Sequence, residues 1–168
     1  MRHLTTLSLF AAASLLAACS PNGTDGPGED FGSSEDGVKV CAAGETVRGV
    51  DVSYYQGNID WNAAHNDGIA FAVARVSDGT GFKDPKFAKN WKGMQDAGVI
   101  RGAYQFFRPK QDPIAQADLA IAMINDAGGM GDGDLPLMLD LEVNDGVSAG
   151  TLLARAKAWL DHVEEATG

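Results

Sequence analysis

"IAFAVARVSDGTGFKDPKFAKNWKGMQDAGVIRGAYQFF", residues 69–107, decides how the chain folds. Residues 69–78 are almost continuously apolar, the pattern of a strand buried on both faces. Asp84-Pro85 then opens a helix over 84–98. Proline suits a first helical turn, Phe87, Trp91 and Met94 recur on one face, and Gly98 stops it. Residues 99–107 form the next strand. A strand, a helix and a strand in one short run make the unit of a parallel sheet, because parallel neighbours need a crossover between them.

The same alternation extends both ways. "VRGVDVSYY" (47–55) predicts a strand, and "WNAAHNDG" (61–68) a short helix ending at Gly68. After residue 107, a second Asp-Pro pair, Asp112-Pro113, opens a helix over 112–129 with Ile114, Ala117, Ile121 and Ile124 on one face. "LPLMLDLE" (135–142) predicts a fourth buried strand. Residues 148–168 predict a fourth helix with Leu152, Ala156, Trp159 and Val163 on its core side. Trp61, Trp91 and Trp159 sit at helical core spacing and are expected to pack rather than to bind.

Repeating β-α units of roughly 30 residues suit an α/β fold of the parallel (β/α)8-barrel type, which needs about 250 residues. Four strands do not close a barrel. The expectation is therefore a modified barrel truncated after four β-α units, or a sheet that is open by design. A doubly wound sheet is the rival, although "DVSYYQGN" after the first strand lacks the G-x-G-x-x-G turn of that class.

Parallel β/α folds place their chemistry at the C-terminal ends of strands. Polar residues at those ends are Asp51 and Ser53; Arg75, Ser77 and Asp78; Tyr104, Gln105 and Arg108; and Asp140 and Glu142. Residues two apart on a strand share a face, so Asp140 and Glu142 point the same way. Both end an apolar run, where an unpartnered carboxylate is costly. Gathered carboxylates drive their proton affinities apart, so one holds a proton while another stays ionised, as glycosidic cleavage requires. Aromatics near the same ends, Tyr54, Tyr55, Tyr104, Phe106 and Phe107, are candidates to stack on sugar rings. Against these stand plainer roles. Asp84 and Asp112 read as helix starts, Asp78 before Gly79 as a turn residue, and Arg75 as the partner of a mouth carboxylate.

At this point three motifs, "RGVDVSYYQGNIDW" (48–61), "GAYQFFRP" (102–109) and "LDLE" (139–142), resemble the family 25 glycoside hydrolases, the Chalaropsis-type lysozymes. Residues 71–98 resemble the segment between the first two. The resemblance implies a modified β/α barrel and cleavage of the β-1,4 bond between N-acetylmuramic acid and N-acetylglucosamine in peptidoglycan. It implies Glu142 as general acid, Asp140 as stabiliser of the substrate's acetamido group, Asp51 as a supporting acid and Tyr104 as a substrate-facing phenol. Tyr54, Arg75 and Phe106 complete the expected substrate-binding set. Gln105 stands where relatives often carry His, and alternation points it away from Tyr104. A catalytically inactive peptidoglycan-binding lipoprotein is the alternative. No cofactor is implied, and no Cys/His cluster has metal-ligand spacing.

The N-terminal part reads differently. Residues 1–19 carry Arg2, an apolar stretch from Leu7 to Leu16 and a small-residue end, the layout of a secretory signal too short to span a membrane. Leu16-Ala17-Ala18-Cys19 resembles a bacterial lipobox, which implies lipidation at Cys19 and export to the outer membrane, periplasm or cell surface. Residues 20–46, rich in Gly, Ser, Pro and acid, predict a flexible tether, and 47–168 the folded domain. Cys41 is left without an assigned partner. A formal net charge of -10 with no basic stripe opposes nucleic-acid binding.

Overall fold

In the computed structural model the described residues are 44–168. The expected signal, Cys19, Cys41 and the tether up to residue 43 lie outside them. Residues 46–168 form one compact unit. Its strands are β1 (Arg48–Val52), β2 (Ile69–Asp78), β3 (Phe82–Lys83), β4 (Ile100–Phe106) and β5 (Met138–Asp140). Its helices are α1 (Trp61–Asn66), α2 (Phe87–Ala97), α3 (Pro113–Asp126) and α4 (Ala149–Thr167). The sheet runs β1-β2-β4-β5, every pair parallel, with the short β3 folded back antiparallel on β2. Strands follow one another in chain order with no reversal. A doubly wound sheet reverses at a switch point, and these strands show no such reversal. Among the described residues β1 and β5 are the two ends of an open path.

Helix starts follow the sequence closely. Asp60, Asp112 and Ser148 cap α1, α3 and α4, each side chain accepting from a backbone N–H three residues on. Gly98 ends α2 in the left-handed region, at φ 74°, as a stop signal should.

Alternation along the strands separates two faces. Ala72, Ala74 and Val76 of β2 and Ala103 of β4 face the helices, where they meet Phe87, Trp91 and Met94 of α2, Ala117, Ala120 and Ile124 of α3, and Trp159 and Val163 of α4. Trp91 and Trp159 are fully buried and Trp61 nearly so, as their spacing predicts. Each such side chain contributes about 1.5–3 kcal/mol of burial. Gln105 lies in this layer. Its amide donates to Ser77 Oγ (2.7 Å) and the Gln116 carbonyl (2.9 Å), and its oxygen accepts from Trp159 Nε1 (2.6 Å). It ties both central strands to α3 and α4 and points away from Tyr104.

Three local expectations are corrected. Strand β1 stops at Val52 because Ser53 caps a 3-10 turn over Tyr54–Gln56 in a reciprocal capping box with Gln56. "LPLMLDLE" contributes only three strand residues, and Met138 and Leu141 are exposed, so it is not a strand buried on both faces. Phe107 is fully buried among core side chains and cannot stack on a sugar.

Candidate active site

The face opposite the helices carries the polar strand ends. Across it, Asp51 is level with Val73 and Gly102, Arg75 with Tyr104 and Met138, and Phe106 with Asp140. Three strands thus deliver Asp51, Tyr104 and Asp140 to one mouth. Glu142 follows two residues after Asp140. These four side chains line a single pocket of ≈ 280 Å3.

Electrostatics in the pocket are uneven. Burial pushes Asp140 up to about 6. The charge of Glu142, the hydrogen bond to it and the charge of Asp51 add to that, while Arg75 opposes it. Glu142 is exposed and Asp140 half-buried. Asp140 is thus the more buried member of a hydrogen-bonded pair, and its proton affinity is the raised one. Burial also pushes the Tyr104 phenol up to about 12, partly offset by Arg75. Tyr104 stays a neutral hydrogen-bond donor at any working pH.

Beside the pocket, Arg75 is buried and donates from Nε to Asp84 Oδ2 at 3.2 Å. Asp84 does not cap a helix side chain to backbone, as Asp112 does. The residue before α2 is Lys86, with no side-chain cap. Instead the Asp84 carboxylate, with no exposed side-chain surface, accepts from Arg75, from Lys86 N–H (2.9 Å) and from Tyr54 N–H across the mouth (2.9 Å). It binds the turn after β1 to the end of β2. Tyr54 stacks on Tyr55 (4.1 Å) and meets Phe82 (5.3 Å), and the Arg75 guanidinium lies near all three rings.

The opposite rim is held by Arg108. It makes a two-pronged ion pair with Asp78, reaches Asp145 at 3.6 Å and covers the Phe106 ring at 4.6 Å. Asp78 is thus the last residue of β2 and an ion-pair partner, beyond the turn role the sequence suggested. Asp145, in the loop after Glu142, is the non-glycine residue with positive φ among the described residues, at 49°. Such a conformation persists only where contacts over-determine it, and Arg108 supplies one.

The expected set is thus divided. Asp51, Tyr104, Asp140 and Glu142 share the pocket, Arg75 and Tyr54 form its aromatic flank, and Phe106 lies under Arg108. Asp84, Phe82 and Asp145 escaped the sequence reading. A signal for Asp84 existed: an arginine inside an apolar strand needs a carboxylate, and Asp84 is the acid that follows the β2–β3 turn.

A sequentially ordered parallel sheet with three acids and a phenol at its C-terminal mouth defines the class, a β/α protein with an acid–base site. The chain belongs to glycosyl hydrolases family 25, whose model matches residues 50–168. Lysozyme M1 of Streptomyces globisporus is 35% identical over 173 residues, covering 93% of this chain and 58% of that protein. The N,O-diacetylmuramidase of Chalaropsis sp. is 36% identical over 134 residues, covering 73% and 63%. The crystal structure of the bacterial lysozyme from Streptomyces coelicolor superposes with a TM-score of 0.65 at 32% identity, covering 72% of this chain and 58% of that one. The chain spans less than two thirds of the length of these relatives.

Proposed function

We propose that the protein is a peptidoglycan muramidase that hydrolyses the β-1,4 bond between N-acetylmuramic acid and N-acetylglucosamine. The observation that carries this reading is the pocket lined by Asp51, Tyr104, Asp140 and Glu142 in a family 25 chain. Its relatives named lysozyme and N,O-diacetylmuramidase supply the substrate class. Glu142 protonates the glycosidic oxygen as the C–O bond breaks and its electrons leave with that oxygen. The bound glycan shields the pair from water, and the hydrogen-bonded Asp140 and Glu142 hold between them the proton that Glu142 delivers. Asp140, now ionised, and Asp51 oppose the positive charge that develops at the sugar carbon. Water then supplies the hydroxyl to that carbon and returns its proton to the pair. The sequential strand order suits the modified β/α barrel that the resemblance implies.

Purified peptidoglycan should release new reducing ends that mass spectrometry identifies as muramic acid. Glucosamine at that end, or cut peptide stems with intact glycan, would replace this reading with another bond.

We also propose that the chain is exported and lipid-anchored at Cys19, on the strength of Leu16-Ala17-Ala18-Cys19 followed by a polar stretch. Palmitate should label the wild type and not Cys19→Ala. Equal absence of label in both would remove the anchor.

A further inference from the structure

We propose that Lys86, Lys89 and Asn58 form a carboxylate-binding subsite next to the aromatic flank of the mouth, and that it takes an acidic group of the peptide stem carried by the glycan. The proposal rests on the muramidase reading and adds a part of peptidoglycan, other than the sugar chain, that the protein holds.

Two cations meet there on one neutral atom. Lys86 Nζ donates to Asn58 Oδ1 at 2.9 Å, and Lys89 Nζ donates to the same oxygen at 3.0 Å. Sharing one acceptor keeps the ammonium groups within roughly 6 Å of each other, where like charges repel. An amide oxygen carries no charge to offset them. Neither lysine forms an ion pair among the described residues, whereas Lys92 and Lys157 each pair with an aspartate four residues on.

The helix gives no reason for this charge. Lys86 is the N-cap of α2 and makes no side-chain cap, and the first turn holds no acid. A helix N-terminus is already partly positive, so lysines stand there against the helix's preference. A carboxylate laid across both ammonium groups relieves the repulsion, and its two oxygens accept a charge-assisted bond from each.

Position names the source of that carboxylate. Asp84 accepts the Lys86 N–H on one oxygen and the Tyr54 N–H on the other, which fixes the start of α2 against the Tyr54–Gln56 turn. Asn58 follows that turn by two residues. The lysine pair is therefore held close to the flank of Tyr54, Tyr55 and Phe82. A stem peptide leaves the glycan at the lactyl group, whose own carboxyl is consumed in the amide, and carries its free carboxylates further along. An extended peptide spans at most about 3.3–3.6 Å per residue, so a tetrapeptide stem reaches beyond the flank. The pocket's three carboxylates and the chain's net charge of -10 repel such a stem, and cations outside the pocket offset that. Lys83, exposed and without an ion pair on β3, lines a separate groove with Asp126.

The test is calorimetric binding with Glu142→Gln as background, so that ligand is held and not cut. The probes are two tetrasaccharides of alternating N-acetylglucosamine and N-acetylmuramic acid with tetrapeptide stems. One carries the stem carboxylates free and the other carries them as primary amides. The background protein should prefer the carboxylate probe by roughly threefold to tenfold at low ionic strength, and the preference should vanish near about 1 M salt. Lys86→Gln together with Lys89→Gln should abolish the preference and leave affinity for the amide probe unchanged. Lys83→Gln should retain it. Absence of the preference in the background, its survival in the double variant, or its equal loss in Lys83→Gln would overturn the subsite and leave the muramidase reading standing. A background protein that binds neither probe would overturn that reading and this one with it.

Discussion

Glu142→Gln should reduce release of reducing ends from peptidoglycan by ~10²–10⁴-fold with little change in thermal stability, because general acid assistance is worth that much to the chemical step. Glutamine keeps the shape of the side chain and its place in the pocket with Asp51, Tyr104 and Asp140. It removes the group that must carry the proton to the leaving oxygen. The loss should fall on kcat, with glycan binding largely retained. A loss below about tenfold would be too small for the role. The same substitution removes a negative neighbour of Asp140. Carbon-detected NMR titration should then show Asp140 titrating below its present value of about 6, yet still above the ordinary carboxylate range, because burial is the larger cause and remains.

The second large effect is expected at Asp140→Asn. Asparagine can neither share a proton with Glu142 nor supply charge against the developing cation, so cleavage should fall by about 10²-fold or more. The pH dependence should change with it. The free wild-type pair holds its shared proton below about pH 6 and loses it above, so kcat/KM, which reports the free enzyme, should fall as pH rises through that value. Asp140→Asn removes the group that titrates at about 6, so the fall at that pH should disappear from the profile. Stability should move the opposite way to activity. Asp140 titrates at about 6 in the fold against the ordinary 3.8 of an aspartate in water. Its contribution is fully present below the lower value and is lost as pH rises through the upper one. Asp140→Asn should therefore melt at higher temperature than wild type at pH 7.5, the difference vanishing toward pH 4. An unchanged melting temperature at pH 7.5 would show that the carboxylate is not held against its preference.

The contrast between two Asp-Pro pairs shows how far local pattern reaches. Asp112 caps α3 with its side chain, as its position before Pro113 implies. Asp84, with the same neighbour, keeps one local bond, from the Lys86 N–H, and gives its other oxygen to Arg75 and to the Tyr54 backbone thirty residues away. Capping chemistry is a local property, and both sites offered it. Which partner wins depends on what the fold brings near. The same holds for Phe106 and Phe107, adjacent aromatics at one strand end, of which one lies under Arg108 at the mouth and the other is sealed in the core.

The strand–helix alternation, the caps of α3 and α4, the stop at Gly98 and the shared face of Asp140 and Glu142 were legible from the sequence alone, because they follow from periods of 2 and 3.6 and from backbone hydrogen bonding within a few residues. So was the convergence of Asp51, Tyr104, Asp140 and Glu142, since parallel strands bring their C-terminal ends to one edge. Tertiary structure alone decided three things: the sequential strand order, the pairing of Arg75 with Asp84, and the raised proton affinity of Asp140. Each depends on distance and burial between residues far apart in the chain, and a carboxylate's proton affinity is set by which water it loses and which charges it gains, neither of which a linear pattern records.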